Sequence, residues 1–298
     1  HLLTAFFCIS LTVSIRAEDT VELVVLHIND THGTLSPYDL EGRNVGGIGR
    51  LSTLAKQIRK ENPEHVLLLH AGDILSRGEP VVIYTGGHVN LLAFEKMGFD
   101  PITPGNGEFY FGIENLQQQR SRVSTPFVHS NVTYKHNNGS IFPPYVIKEI
   151  QGVKVGILGL GLIRPWHQSS QMLTLNNPVE TTKKYVPELR PKVDFLIALT
   201  HIGVKNDSLL AAAVPELDLH TPSRIARANE EGSVSIVQTR HYYQFLGRVD
   251  IQLKKAKQGY RIARVDGKLL PIDEQIERDP EIEALIDEYA VPLNESNL

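Results

Sequence analysis

Acidic, amide and imidazole side chains follow four apolar segments of this sequence, each at the point where a β-strand would end. They are Asp30 and His32 after the first segment, Asp73 after the second, Asn106 after the third and His201 after the fourth. Each feature alone is weak, because turns require Asp, Asn and Gly in any case. Since ligands bind at the carboxyl ends of strands in open α/β sheets, the recurrence predicts that the five side chains converge on one site.

The chemistry of this set favours metal binding. Carboxylate and amide oxygens together with imidazole nitrogen suit Mn, Zn, Mg or Fe, and two such ions bind a phosphate ester between them. A formal net charge of -4 provides no positive field that would attract an anion, so an anionic ligand would need a metal or a local cluster of positive charge. For the same reason we expect no nucleic-acid partner. The single cysteine, Cys8, excludes a zinc site built from several thiolates.

Apolar segments rich in Val, Ile and Leu alternate with segments of helical period, which predicts an α/β sandwich. The predicted strands are 21–28, 65–69, 126–132, 145–150, 154–159, 194–200, 235–239, 246–254 and 260–265. The predicted helices are 47–60, 87–97, 108–122, 179–189 and 279–289.

At these positions the sequence resembles the calcineurin-like metallophosphoesterases, and within them the catalytic domain of the 5'-nucleotidase family, over residues 20–290. The resemblance is carried by an ordered set of motifs: Asn29-Asp30-Thr31-His32-Gly33, Gly46-Gly47-Ile48-Gly49-Arg50-Leu51, Ala71-Gly72-Asp73, Gly105-Asn106, Thr200-His201-Ile202-Gly203 and Leu246-Gly247-Arg248-Val249-Asp250.

The resemblance implies a fold, a ligand set and a reaction. The fold is a four-layer α/β/β/α sandwich of two mixed sheets flanked by helices. Asp30 and His32 would hold the first of two divalent metal ions, Asp73 would bridge both, and Asn106 and His201 would hold the second, with Asn106 also meeting substrate. The implied reaction is hydrolysis of a small phosphate ester, such as a nucleotide, by a metal-bound hydroxide.

The sequence departs from the family pattern just after Asn106. The family continues Gly-Asn with His-Glu-Phe-Asp, whereas this chain has Gly107-Glu108-Phe109-Tyr110, so the His/Asp dyad for acid–base or transition-state assistance is missing. Such assistance is worth about 10²–10⁴ in rate. The alternatives to a 5'-nucleotidase-like hydrolase are therefore a catalytically impaired protein that binds metal or ligand, or a hydrolase of another ester, such as thiosulfate or a cyclic diester.

Nearby residues could take over part of the missing function. Glu108 and Tyr110 could transfer protons. The alternative is that Glu108 caps a helix and that Tyr110 only packs against its neighbours. His241 lies on a turn that the family brings near the metals, and Arg240 could meet a phosphate, although a solvated charge is the commoner outcome. These residues are candidates for catalysis, and for substrate binding in the case of Arg240.

A second departure precedes His220. The family carries a Gly-His-x-His loop with one ligand for each metal, and here a single histidine follows Leu219. By order and by the following Thr221-Pro222, His220 matches the second histidine and would complete the first metal. The second ion then lacks a nitrogen ligand beyond His201, either through a real deletion or through residues omitted from the sequence.

The N-terminal segment suggests export, and the rest of the chain is predicted to divide into a domain and a C-terminal segment. Residues 1–17 read as part of a signal peptide, 18–272 as the metallophosphoesterase domain, and 273–298 as a C-terminal helix or linker with the family's second nucleotidase domain absent. We therefore expect a secreted or periplasmic protein with no stable membrane span in its mature chain.

Overall fold

The computed structural model describes residues 20–75, 77–221, 235–236, 238–257 and 259–295, without the side chains of 220–221, 235–236 and 291–295. The predicted signal peptide at 1–17 lies outside the described residues. Among the helices in these ranges, none is both long enough and apolar enough to cross a lipid bilayer.

Two mixed sheets form the centre of the fold. Sheet 1 has the strand order β13-β12-β1-β4 and sheet 2 the order β11-β10-β9-β7-β6. The strands of sheet 1 are β1 (Thr20–Ile28), β4 (Val66–His70), β12 (Phe245–Lys255) and β13 (Tyr260–Pro271). Those of sheet 2 are β6 (Tyr145–Ile150), β7 (Val153–Leu160), β9 (Phe195–Thr200), β10 (Leu219–Thr221) and β11 (Ser235–Ile236). Among the described residues, β2 (Tyr38–Leu40) and β3 (Arg43–Val45) also form a short hairpin, and β5 (Val132–Tyr134) and β8 (Leu173–Leu175) form a separate two-stranded antiparallel sheet.

Helices cover the outer faces of the two sheets. They are α1 (Ile48–Glu61), α2 (Pro80–Tyr84), α3 (His88–Lys96), α4 (Ile113–Ser121), α5 (Pro178–Leu189), α6 (Val204–Ala213) and α7 (Pro280–Glu295). Three short 3-10 helices lie at Gly107–Phe109, Gln168–Met172 and Arg190–Lys192.

The burial pattern separates the four layers that the resemblance implies. Apolar side chains that alternate along β1, such as Leu23 and Val25, meet Val155 and Ile197 of sheet 2 in the central core. The opposite face of sheet 1 packs on α1 and α3, and the opposite face of sheet 2 packs on α5 and α6. The fold is therefore an α/β/β/α sandwich.

The C-terminal helix α7 belongs to this body. Its side chains Ile282 and Leu285 are buried in the core of the α1 and α3 layer. Just before it, the Asp279 carboxylate accepts a hydrogen bond from Ser52 Oγ at 2.5 Å and pairs with Lys56 Nζ at 2.6 Å. The helix is thus packed as a structural element, while the domain boundary at residue 272 stays a prediction.

Two predicted elements differ from the structure. The helix predicted over 108–122 is interrupted after the 3-10 helix by Gly112, whose φ of 92° lies outside the helical region, and α4 begins after it. The strand predicted over 126–132 is reduced to an isolated bridge from Phe127 to Ile102, and regular pairing starts only with β5.

Candidate metal centre

The loops after β1 and β4 form the floor of the site. These strands are parallel neighbours, so both loops leave the same edge of sheet 1. The loops are also bonded to each other: Asp30 N donates to Gly72 O at 2.9 Å, and His32 N donates to Asp73 O at 2.8 Å. Ile102 extends this edge through a parallel bridge to His70, which places Asn106 beside the two loops.

Three of the predicted ligands have left-handed backbone conformations. The φ angles are 50° at Asp30, 49° at His32 and 60° at Asp73. This region is sparsely populated by residues other than glycine and costs of order 1–3 kcal/mol at each position, so it persists only where the surroundings enforce it. Here the bonds between the two loops enforce it.

The Asp73 carboxylate lies at the centre of the predicted ligand set. His201 Nε2 is 3.5 Å from its Oδ1, and His32 Nδ1 is 3.9 Å from its Oδ2. Asn106 Nδ2 lies 3.4 Å from Oδ2, and the Gly107 amide donates to Oδ1 at 2.6 Å. Asp30 Oδ1 is 3.5 Å from His32 Nε2, so the His32 ring stands between the two carboxylates.

This donor set fits a divalent cation. One potential ligand atom each from Asp30, Asp73 and His201 lies within 4.8 Å of the others, and the group combines two hard carboxylate oxygens with an imidazole nitrogen. The second ring nitrogen of His201, Nδ1, is 2.7 Å from Ala71 O. Because a carbonyl can only accept, Nδ1 carries the hydrogen, and Nε2 is oriented toward the cluster as in many metal-binding histidines.

The charges of the cluster are strongly coupled. Burial opposes ionisation of Asp73, but His201 and the Gly107 amide outweigh it and lower the pKa of Asp73 to about 2. Burial likewise opposes protonation of His201, yet the Asp73 carboxylate raises the pKa of His201 to about 10. Asp73 and His201 thus form a carboxylate–imidazolium pair, and a cation held by these residues would replace the proton on His201 Nε2.

Glu108 organises the loops around the cluster. Its carboxylate is fully buried and accepts backbone hydrogen bonds from Asp73 at 2.9 Å, Leu75 at 3.0 Å and Gly105 at 2.5 Å, as well as a short one from Ile74. Burial and the Asp73 carboxylate raise the pKa of Glu108, and the backbone donors oppose that rise. The sequence placed Glu108 among the proton-transfer candidates, but both its oxygens are occupied by backbone amides, the geometry of a loop-organising carboxylate.

Three other predicted residues contact rings outside the predicted ligand set. Tyr110 is 44% exposed and its ring meets the His167 ring edge-on at 4.9 Å. His241 is exposed and packs on Tyr242 at 4.6 Å, and the Arg240 guanidinium lies over the Phe245 ring at 5.9 Å. His220 is in β10, and its side chain lies outside the described residues.

Two residues next to the cluster were not predicted from the sequence as part of the site. Buried Asn29 donates to Arg240 O at 2.7 Å and accepts from Thr239 Oγ1 at 2.9 Å, which ties the 239–243 turn to the Asp30 loop. The Tyr242 ring lies edge-on to His32 at 5.5 Å. Only the position of Asn29, immediately before Asp30, could have pointed to it.

His70 has a supporting function. It is buried, its Nδ1 accepts from Gly72 N at 3.1 Å, and its Nε2 is 3.1 Å from Thr31 Oγ1. Burial lowers the pKa of His70 to about 3, so the ring is neutral. The ring therefore stabilises both predicted metal-binding loops through Thr31 and Gly72. Side chains alternate between the two faces of a strand, which is consistent with a His70 ring directed away from the ligands.

The chain is similar in sequence to known phosphoesterases. A family model described as calcineurin-like phosphoesterase matches residues 23–232. The chain is 29% identical to the trifunctional nucleotide phosphoesterase protein YfkN of Bacillus subtilis, over 90% of this chain and 20% of that protein. It is 27% identical to the 5'-nucleotidase of Bos taurus, over 92% of this chain and 53% of that protein. The chain thus spans about half the length of the bovine relative and about a fifth of the length of YfkN.

Solved structures show the same fold. The crystal structure of YfkN from Bacillus subtilis superposes with a TM-score of 0.79 at 22% identity, covering 93% of this chain and 99% of that one. The Thermus thermophilus sulfate thiohydrolase SoxB superposes with a TM-score of 0.80 at 19% identity, covering 92% of this chain and 61% of that one. These likenesses confirm the sandwich predicted from the sequence. With the family model matching more than half of its length, this chain belongs to the calcineurin-like phosphoesterase family.

Proposed function

We propose that this chain is an exported, metal-dependent phosphoester hydrolase of 5'-nucleotidase type that acts on nucleotides or related small phosphomonoesters. The observation that carries the proposal is the convergence of Asp30, Asp73 and His201 within reach of one cation, in a family of phosphoesterases. The nucleotide substrate class is taken from the names of the relatives, two of which are a nucleotide phosphoesterase and a 5'-nucleotidase.

The ligands are assigned from the resemblance to the family, and the contacts of Asp73 with His32, Asn106 and His201 support the assignment. Asp30 and His32 would hold one ion, Asn106 and His201 a second, and Asp73 would bridge them, with His220 as a further ligand of the first. When bound, Mn, Zn, Mg or Fe supplies the Lewis acidity that activates water and neutralises phosphate charge.

The chain's own residues position these ligands. The Ala71 carbonyl fixes the His201 ring, and Gly107 N holds the Asp73 carboxylate. The Asn106 amide, beside Asp73, would donate to a phosphate oxygen. Arg240 is exposed on the adjoining turn, from which its charge would favour an anionic substrate.

The loss of the dyad sets the expected rate. Gly107 offers only its amide at the position where the family has histidine, and Tyr110 and His241 are the remaining proton-transfer candidates. We expect a turnover about 10²–10⁴ lower than that of a dyad-containing relative. Restoring the pair with Gly107→His and Tyr110→Asp should raise kcat while the metal content stays unchanged.

The test is hydrolysis of AMP and p-nitrophenyl phosphate by chelator-treated protein after separate addition of Mn, Zn and Mg. We expect metal-dependent turnover that Asp73→Asn abolishes, whereas Asp266→Asn, an exposed carboxylate on β13, leaves it intact. Metal binding with turnover no higher than that of Asp73→Asn would instead show an impaired protein that binds metal only. Export is tested separately by N-terminal sequencing of the mature protein, which should have lost residues 1–17.

A further inference from the structure

The loop after β7 exposes an unusual side chain. Trp166, the only tryptophan of the chain, is 76% exposed. Tryptophan is highly buried on average in folded proteins, so a tryptophan this exposed is a candidate for binding a ligand.

This loop leaves sheet 2 next to the metal centre. Strands β7 and β9 are parallel neighbours, paired from Val155 to Leu160. The amide of His201, the first residue after β9, donates to Leu160 O at 2.7 Å. The loop that carries Trp166 and the residue that binds metal therefore start side by side at the same edge of the sheet.

Hydrogen bonds hold the loop in one conformation. Arg164 O accepts from His167 N at 3.0 Å and from Ser170 Oγ at 2.5 Å. Ser169 Oγ donates to Phe109 O at 2.9 Å, which ties the loop to the 3-10 helix directly after Asn106. The loop is therefore preorganised, and its position relative to Asn106 is fixed.

Planar and positively charged groups cluster on this loop. The Arg164 guanidinium lies 5.6 Å from the centre of the Trp166 ring, within the range of a cation–π contact. The His167 ring meets the ring of Tyr110, which is four residues after Asn106. The four side chains Tyr110, Arg164, Trp166 and His167 are here called the ring platform. The Tyr110–His167 contact and the bond from Ser169 to Phe109 connect it with the segment that follows Asn106.

We propose that the ring platform binds the nucleobase of a nucleotide whose phosphate occupies the metal centre. This inference rests on the proposed function and specifies its substrate. A flat heterocycle stacks on an exposed indole or on a guanidinium plane without requiring a particular base. The platform belongs to the phosphoesterase domain itself, so this domain would supply selectivity for the ring.

Ring binding can be measured independently of turnover, because adenosine has no phosphate ester to hydrolyse and Trp166 is the sole source of tryptophan fluorescence. The wild-type protein loaded with Mn is titrated with AMP, adenosine and ribose 5-phosphate. We expect AMP and adenosine to quench the emission, and ribose 5-phosphate to leave it unchanged. Equal quenching by all three, or none by adenosine and AMP at millimolar concentration, would overturn the proposal.

Turnover provides the second test. Trp166→Ala should lower kcat/KM for AMP about ten- to a hundredfold and leave kcat/KM for ribose 5-phosphate unchanged, whereas Trp166→Phe, which keeps a ring, should retain most of the activity on AMP. An equal loss on both esters would show a merely structural tryptophan and contradict the platform. If the wild-type protein hydrolyses neither ester, the proposed function fails, and the fluorescence titration still decides whether the platform binds a ring.

Discussion

Replacing Glu108 with glutamine tests whether this residue organises the metal-binding loops or transfers protons. Its two oxygens accept four backbone N–H groups, two on each oxygen. Glutamine turns one oxygen into an amide nitrogen, so in either orientation two donors lose their acceptor and face another donor.

The expected cost follows from these contacts. A hydrogen bond to a charged group contributes about 1.5–3 kcal/mol, so two lost bonds cost about 3–6 kcal/mol. Burial and the neighbouring Asp73 carboxylate disfavour the charged form of Glu108, which is why they raise its pKa. Glu108→Gln removes that buried charge. This relief offsets part of the loss, and we expect a net decrease of about 2–4 kcal/mol in the free energy of unfolding.

The assay is urea unfolding followed by far-UV circular dichroism, because the only tryptophan is exposed and reports poorly on the core. Mn affinity is measured in parallel by calorimetry and should fall at least about tenfold, since Asp73 and Gly105 lose their backbone anchor. Glu114→Gln, an exposed change on α4, should alter neither quantity. A Glu108→Gln protein with wild-type stability and Mn affinity but without turnover would refute the organising function and establish a proton-transfer function instead.

Three further substitutions test separate parts of the site. Gly105→Ala brings a Cβ within 2.8 Å of Asp73 N, so it should weaken Mn binding at least about tenfold in calorimetry; unchanged affinity would contradict the close packing of these loops. Asn29→Ala leaves Thr239 Oγ1 without its buried acceptor, so we expect a loss of about 2–3 kcal/mol in urea unfolding, and an unaltered midpoint would show that this tie is unimportant. Burial raises the pKa of Asp207 from 3.8 to about 7, so wild-type stability falls as the pH rises between these values. Asp207→Asn should therefore be more stable than wild type above pH 7, by up to about 4 kcal/mol, with the difference vanishing near pH 4; a constant difference in unfolding free energy across this range would contradict the shift.

Much of the fold was predictable because its signals are local. Apolar alternation and helical period depend on neighbouring residues. They located the longer strands of both sheets and the helices α1, α3, α5 and α7, but not α2 or α6. The helix predicted over 108–122 was wrong at Gly112, because periodicity does not register a residue that adopts a positive φ. The strand predicted over 126–132 was wrong because its composition is strand-like while its pairing partner is only one residue, Ile102.

The site was predictable to the extent that its residues follow strand ends. Asp30 and Asp73 meet because β1 and β4 are parallel neighbours that end at the same edge of sheet 1. His201 joins them from the end of β9 in sheet 2. The contribution of Glu108 could not be predicted, since its acceptor function depends on backbone amides more than thirty residues away. The contacts of Asn29 could not be predicted for the same reason, because its partners lie more than 200 residues further along the chain.

The central claim is that the Asp73 carboxylate binds divalent metal ions together with Asp30 on one side and His201 on the other. Anomalous diffraction from crystals grown with Mn tests it most directly. We predict an anomalous peak at coordination distance from the Asp73 carboxylate and from Asp30 or His201, and a second peak on the other side of Asp73 when both ions are bound. Mn peaks elsewhere on the protein, with none beside Asp73, would contradict the account.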